Sequence, residues 1–471
     1  MIRTVAEYEQ FLISKHNWAQ ATGFTPGPLH QRHFGFQKVM IDWAAKQGRA
    51  AVFADTGLGK TGIQIELSRQ VAQHTSRPVL IAAPLAVAEQ TIEEGALLDV
   101  PIRYARTQEE ADRLDNPVII TNYDRIEGFV PGRWAGIVLD ESSVLKSYTG
   151  KTKQFLVGAF RETPYRFACT ATPAPNDHIE LGNHAEFLGV MSSSEMLMQY
   201  FINDTMVAGG YRLKNHSEQS FWEWVASWAA CVSKPSDLGF SDDGYELPPL
   251  AITAHTVAVD YATAWAEGQL FHTEHLNATK LWKDKRTTMH DRVRMAAQLV
   301  AAEPEESWIV WCDTNEEASL LMQLLPVGAV EVRGNDKPAD KIAKMTAFRS
   351  GQARYMVTKS KIAGFGLNWQ HCARQCFVGM TYSFEAFYQA LRRSYRFGQR
   401  RPVQAHLIVA ETEGNVLARV EEKKAAHREM QEKLTAAMRV SGLLAGQYQH
   451  LRTYEAPHRM YIPSWLHSKA A

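Results

Sequence analysis

A short apolar run, residues 49–53, leads into Ala54-Asp55-Thr56-Gly57-Leu58-Gly59-Lys60-Thr61, and helical apolar spacing begins directly afterwards, over residues 62–72. No other stretch limits the possible folds as much. Strand, small-residue loop and helix in that order present backbone N–H groups at a helix N-terminus, which is how a loop cradles phosphate. Gly57 and Gly59 let those groups turn inward, while Thr56 and Leu58 complete the wrap around the phosphates. Lys60 can reach the β- and γ-phosphates of a nucleotide, and the Thr61 hydroxyl can hold Mg²⁺. Ala54 stands where the strict pattern has glycine. A glycine-rich strand–helix turn without a ligand is the plain alternative, and the adjacent Lys-Thr argues against it.

Such a loop belongs in a parallel sheet, and the chain is long enough to supply more than one. Its 471 residues, 45% hydrophobic and 22% charged, have a globular composition. Fifty-one basic and 51 acidic side chains cancel, so any nucleic acid must be held in a local cleft rather than by bulk charge. Five cysteines in a chain of this size argue against a disulfide framework. Cys372 and Cys376 beside His371 lack the second pair that a zinc site needs, and read as packing. No apolar run approaches a membrane span, and Glu7 and Glu9 interrupt the N-terminal stretch where a signal peptide would be apolar. The expected location is cytoplasmic, without membrane contact.

Short apolar runs alternate with helical segments through most of the chain. Residues 5–19 and 33–43 read as helices, separated by a Gly/Pro-rich link over 22–28. Strands are expected at 79–83, 118–121, 136–139 and 166–169, then at 308–312, 329–332, 355–358, 375–379 and 405–409. Continuous apolar strands separated by helices indicate parallel sheets with helices on both faces. Between the two sets the pattern changes: Phe221, Trp222, Trp224 and Trp228 form a helical stripe, read as core rather than as a base-stacking platform. Leu247-Pro248-Pro249 marks a boundary, followed by a long helical stretch over 261–302 and a closing helix over 416–438. The expected organisation is an N-terminal helix and linker (1–30), a first α/β lobe (31–250), a second (251–440) and a tail (441–471).

Hydrolysis of a bound nucleotide needs an acid besides the loop. Asp140 and Glu141 close the strand over 136–139; Asp140 can bind Mg²⁺ through water, and Glu141 can polarise the attacking water. In the second half, Gln389-Ala390-Leu391-Arg392-Arg393-Ser394-Tyr395-Arg396-Phe397-Gly398-Gln399 places Arg393 and Arg396 three apart. On a helix they share a face, from which both can reach a γ-phosphate held by the other half. A solvated basic face is the alternative.

Together these motifs resemble the motors of helicase superfamily two, and most closely the Swi/Snf-type double-stranded DNA translocases. Phe36-Gln37 with Trp43 is similar to that family's adenine-reading segment, which makes Gln37 the implied adenine contact. Phe34-Gly35 replaces the family's Arg-Pro. Thr170-Ala171-Thr172-Pro173 resembles the segment that couples hydrolysis to lobe movement, through Thr170 and Thr172. Arg333-Gly334, Thr358-Lys359-Ser360 and Gly364-Phe365-Gly366-Leu367-Asn368 keep the family's order, with Gly366 implied beside the nucleotide. The run Gln389 to Gln399 matches the closing motif nearly residue for residue. Gln90, Asn122, Thr358 and Lys359 fall where the family touches the DNA backbone. The acidic box departs from the family, continuing as Ser142-Ser143 rather than Ala-His.

The resemblance implies two tandem RecA-like lobes, each a parallel sheet flanked by helices, with ATP and Mg²⁺ in the cleft between them. It implies an ATP-dependent translocase on duplex DNA, acting without sequence preference and as a monomer. The chain resembles a minimal bacterial or bacteriophage motor, with replication or recombination proteins as candidate partners. A strand-separating DNA or RNA helicase and an ATP-gated DNA clamp with little turnover are the alternatives.

Overall fold

The computed structural model describes residues 19–147, 149–204, 210–259, 285–363, 368–379 and 384–440. The expected helix over 5–19 (all but its last residue), the tail, Gly364 to Leu367 and most of the first part of the 261–302 stretch lie outside them. Strands in chain order are β1 (Arg49–Ala54), β2 (Val79–Ala83), β3 (Ile102–Tyr104), β4 (Val118–Asn122), β5 (Gly136–Asp140), β6 (Tyr165–Thr170), β7 (Phe201–Asp204), β8 (Gly210–Leu213) and β9 (Ala229–Val232). They continue as β10 (Leu250–Val257), β11 (Trp308–Cys312), β12 (Ala329–Val332), β13 (Tyr355–Lys359), β14 (Arg374–Val378) and β15 (Val403–Ala410).

Two parallel sheets flanked by helices result, as expected of two RecA-like lobes. The first has the order β3-β4-β2-β5-β6-β1-β9 and the second β10-β15-β14-β11-β13-β12. The strands read from the sequence are those with continuous apolar runs, because a strand covered by helices on both faces has no polar side. β2, β4 and β5 are buried at every position. Five strands were not anticipated: β3, β9 and β10 in these sheets and the two strands of the antiparallel β7–β8 hairpin beside them. β9 is four residues of Ala-Ala-Cys-Val, and β10, at a sheet edge, is half-buried or exposed at every position before Val257, so neither carries a continuous apolar signal.

Strand order positions the chemistry. β6 lies between β1 and β5, with Val52 opposite Cys169 and Cys169 opposite Asp140. The loop after β1, the Asp140-Glu141 pair after β5 and Thr170 at the end of β6 therefore share the carboxyl edge of one sheet, where parallel α/β sheets bind ligands.

The tryptophan stripe is core: Phe221, Trp222, Trp224 and Trp228 are buried, with Trp224 and Trp228 edge to face at 5.4 Å. The closing helix, Gly414–Val440, departs from the second lobe that precedes it. Met430, Leu434, Ala437 and Met438, spaced along one helical face, are buried in the core of the first lobe. The Cys231 N–H donates to Met438 Sδ at 3.0 Å, and Lys433 pairs with Glu218. The helix thus ties the end of the second sheet to the outer edge of the first.

Candidate nucleotide site at the lobe interface

Glycines set the shape of the phosphate loop. Gly57 and Gly59 have φ of +92° and +76°, which side-chain-bearing residues rarely adopt. Gly59 leads directly into the helix Lys60–Thr75, so the free N–H groups of its first turn face the loop. Lys60 Nζ donates to the Ala54 carbonyl at 2.8 Å, folded over the loop it would serve, and Thr61 is partly buried beside it. Asp55 Oδ1 accepts from the Thr56 N–H at 2.6 Å. Gln37 braces this loop: its Nε2 donates to the Leu58 carbonyl at 2.9 Å and its Oε1 accepts from the Phe34 N–H at 2.9 Å. The residue expected to contact adenine is engaged as a loop support in this conformation.

The acidic edge is equally braced. Asp140 Oδ1 accepts from Gln64 Nε2 at 2.7 Å and from the Glu141 N–H at 3.0 Å, while Tyr123 Oη donates to the Asp140 carbonyl at 2.6 Å. Glu141 has φ +50°, a left-handed conformation costly for a side chain of this kind. Thr170 Oγ1 donates to Glu141 Oε2 at 3.4 Å and accepts from the Thr172 N–H at 3.1 Å, so the expected coupling segment touches Glu141, the acid expected to polarise water, directly. Ser142, standing where the family has a different residue, bonds His184 across 3.1 Å. Burial raises the Asp140 carboxyl above its usual range. Burial likewise pushes Glu141 up to about 6, opposed by Lys60 and reinforced by Asp140. A carboxylate and a hydroxyl are hard-oxygen donors of the kind that Mg²⁺ takes, binding through one or two protein ligands and substrate phosphates. Asp140 and Thr61 fit that role. Among the described residues no group of three or more His, Cys, Asp or Glu could hold a metal without substrate.

The arginines arrive from the second lobe, but not on a helix. The helix Phe384–Leu391 ends before them, and residues 392–398 form turns and bends. Gln399 staples these turns: its Nε2 donates to the Gln370 and Ser394 carbonyls at 2.9 and 3.1 Å, and its Oε1 accepts from the Arg400 and Arg401 N–H groups at 3.0 and 2.9 Å. Gly398 supplies the required φ of +87°. Arg393, 4% exposed, lies within electrostatic reach of Glu141 and Asp140, and burial lowers its pKa to about 9. Arg396 is within reach of Lys60 and of Glu94. Gln389 stands between the acid and the arginine, accepting from Arg393 Nη2 at 3.1 Å while its Nε2 lies 3.5 Å from Glu141 Oε2.

Three contacts between the lobes had no counterpart in the sequence reading. Arg392 Nη2 donates to Asp55 Oδ2 at 2.6 Å, and Tyr388 Oη donates to Asp55 Oδ1 at 2.6 Å. Their lowering of the Asp55 pKa outweighs the effect of its burial, the largest single influence, so the group stays a carboxylate. Lys146, just after the acidic box, pairs with Glu385 of the second lobe.

The residues expected on DNA divide. Gln90 and Lys359 are partly exposed. Asn122 is 5% exposed and accepts from Tyr104 Oη at 2.7 Å; Thr358 is 1% exposed and donates to the Val332 carbonyl at 3.1 Å. Both are internal in this conformation, because each ends or lies within a buried strand, and neither side chain is presented to a backbone phosphate. Gly366 lies outside the described residues.

A phosphate loop, a paired acid and arginines from a second parallel sheet define a two-lobed P-loop nucleotide hydrolase whose site is divided across a cleft. Residues 291–398, which end within the arginine turn, match the family described as helicase conserved C-terminal domain. Among solved structures the chain is similar to the Sulfolobus solfataricus SWI2/SNF2 ATPase core in complex with dsDNA, at 17% identity over 89% of this chain and 98% of that one, with a TM-score of 0.41. No curated protein matches it.

Proposed function

We propose that the protein is an ATP-dependent translocase of the Swi/Snf type that moves on duplex DNA. The observation that supports it is the divided site: Lys60, Asp140 and Glu141 on one lobe meet Arg393 and Arg396 of the other. Transition-state charge is then fully stabilised only when the cleft is closed. Lys60 and the loop N–H groups bind the phosphates, Glu141 orients water, and the two guanidinium groups meet the charge that develops on the γ-phosphoryl oxygens. Asp140 and Thr61 would hold Mg²⁺, which neutralises charge on the β- and γ-phosphates. ATP favours closure because the γ-phosphate is the contact both lobes share; its release favours opening. Thr170, bonded to Glu141, would pass that change into the rest of the first lobe. Alternating grip on one strand's phosphates would advance the protein, with strong salt dependence and no sequence preference.

The test is ATPase rate without nucleic acid and with single-stranded DNA, duplex DNA or RNA, measured side by side. Duplex DNA should stimulate most, and Arg396→Ala should lower the stimulated rate by about a thousandfold. A rate indifferent to duplex DNA would refute translocation. Triplex displacement without fork unwinding would separate a translocase from a strand-separating helicase.

A further inference from the structure

Tyr123 brings a phenol to the acidic edge of the site from outside the phosphate loop. It opens the short 3-10 helix Tyr123–Gly128, which follows β4 directly. β2 lies between β4 and β5, so the side chain crosses the end of a strand to donate to the Asp140 carbonyl at 2.6 Å. Burial, reinforced by the Asp140 and Glu141 charges, raises the phenol well above its usual range and keeps it a donor. The base of the ring is anchored as well. Asn122 accepts from Tyr104 Oη at 2.7 Å and its Nδ2 donates to Asp124 Oδ2 at 3.3 Å, while Ile126 of the same turn is buried.

The carbonyl that Tyr123 holds belongs to the peptide joining Asp140 to Glu141. At the other edge of that peptide, the Glu141 N–H donates to Asp140 Oδ1 at 3.0 Å. A peptide unit is a rigid plane, so bonds at two opposite edges fix its tilt. The tilt matters because the next rotation, φ of Glu141, is +50°, a left-handed value that a glutamate keeps only under constraint. Beyond it the chain is pinned again, the Glu141 carbonyl accepting from the Val144 N–H at 3.2 Å. A φ relaxed to the ordinary negative range would swing the carboxylate away from Thr170 and Gln389, now 3.4 and 3.5 Å from Glu141 Oε2. We propose that Tyr123 is a positioning residue for hydrolysis, holding the Asp140–Glu141 peptide in the strained turn that aims the Glu141 carboxylate at the attacking water. The proposal rests on the reading of Glu141 as the group that orients water. It adds to that reading the end of β4, which belongs to neither the phosphate loop nor the arginine turn.

The experiment is single-turnover hydrolysis of ATP, with Mg²⁺ and duplex DNA, by the full chain and by Tyr123→Phe, Glu141→Gln and the double variant. ATP affinity is measured by calorimetry on the last two. Tyr123→Phe keeps the ring and removes only its hydroxyl. It should lower the rate about ten- to a hundredfold, the cost of a misplaced catalytic group. In the Glu141→Gln background the same change should lower the residual rate by less than about twofold, because the group it aims is already disabled. ATP should bind Glu141→Gln and the double variant equally, which also shows that the phosphate loop is folded in both. A parental rate in Tyr123→Phe, an undiminished loss in the double variant, or weaker ATP binding by it would overturn the positioning role alone. Parental turnover by Glu141→Gln would overturn Glu141 as the water-orienting group and the proposal with it. A parent protein that hydrolyses no ATP would overturn the hydrolase reading from which both follow.

Discussion

Gln389 and His184 show how much of the site is carried by residues that touch no phosphate. Gln389 lies in the last turn of its helix, just before the turn that carries Arg393, so its amide can accept from that guanidinium and still face Glu141 on the other lobe. His184 braces the acidic box through Ser142, with both side chains fully buried. Burial pushes the His184 pKa down to about 4. Because that value lies below the unfolded one, the folded protein holds a neutral ring and its stability is complete above about pH 6.5. As pH falls toward 4 the unfolded chain takes up the proton first, and up to about 3 kcal/mol of stability is lost from this residue. Urea midpoints measured between pH 7 and 4 should fall steeply in the parent. His184→Gln, already less stable at neutral pH, should show a flatter decline; equal slopes in the two proteins would exclude His184 as the source.

At the scale of elements, the arginine turn is the decisive piece. A helix continued past Leu391 would swing Arg393 and Arg396 around its axis; Gly398 and the Gln399 staple instead hold them in a turn pressed against Gly57. Gln399→Ala removes side-chain partners for two carbonyls and two N–H groups without touching the phosphate loop. Misplacing a catalytic group by an ångström can cost about a hundredfold. Turnover should therefore fall by about one to two orders of magnitude while ATP affinity changes little. A variant with parental kcat would show that the turn holds its shape without Gln399.

For the whole molecule, the closed cleft is held by protein contacts before any nucleotide is considered. Asp55 with Arg392 and Tyr388, Lys146 with Glu385, and Gly414–Val440 packed across to the first lobe all join the halves. The Arg392 guanidinium also lies over the Tyr388 and Tyr395 rings at 5.1 and 5.3 Å, so its charge is delivered to Asp55 by a preorganised wall. Removing one member of such a nearly buried pair costs about 3–5 kcal/mol where the other charge stays buried. Arg392→Gln should accordingly favour an open form of the nucleotide-free protein, read as a larger radius of gyration in solution X-ray scattering. Scattering identical to the parent's would place the closing force elsewhere.

Patterns within a dozen residues of the chain were enough to establish the two parallel sheets, the phosphate loop, the acid after β5 and the arginines near the end of the second lobe. β2 and β11 even have the bounds expected from their apolar runs, because a strand buried on both faces records its burial in every side chain. The bond between Asp55 and Arg392 joins residues 337 positions apart, and neither carries a local signal of the other. Asn122 and Thr358, expected at the DNA backbone, prove internal once neighbouring strands cover them. Local composition reports what each segment must bury or bend. Which segments then meet across the cleft depends on how the sheets stack and where the closing helix lands, and those are decided by packing between parts of the chain that share no pattern.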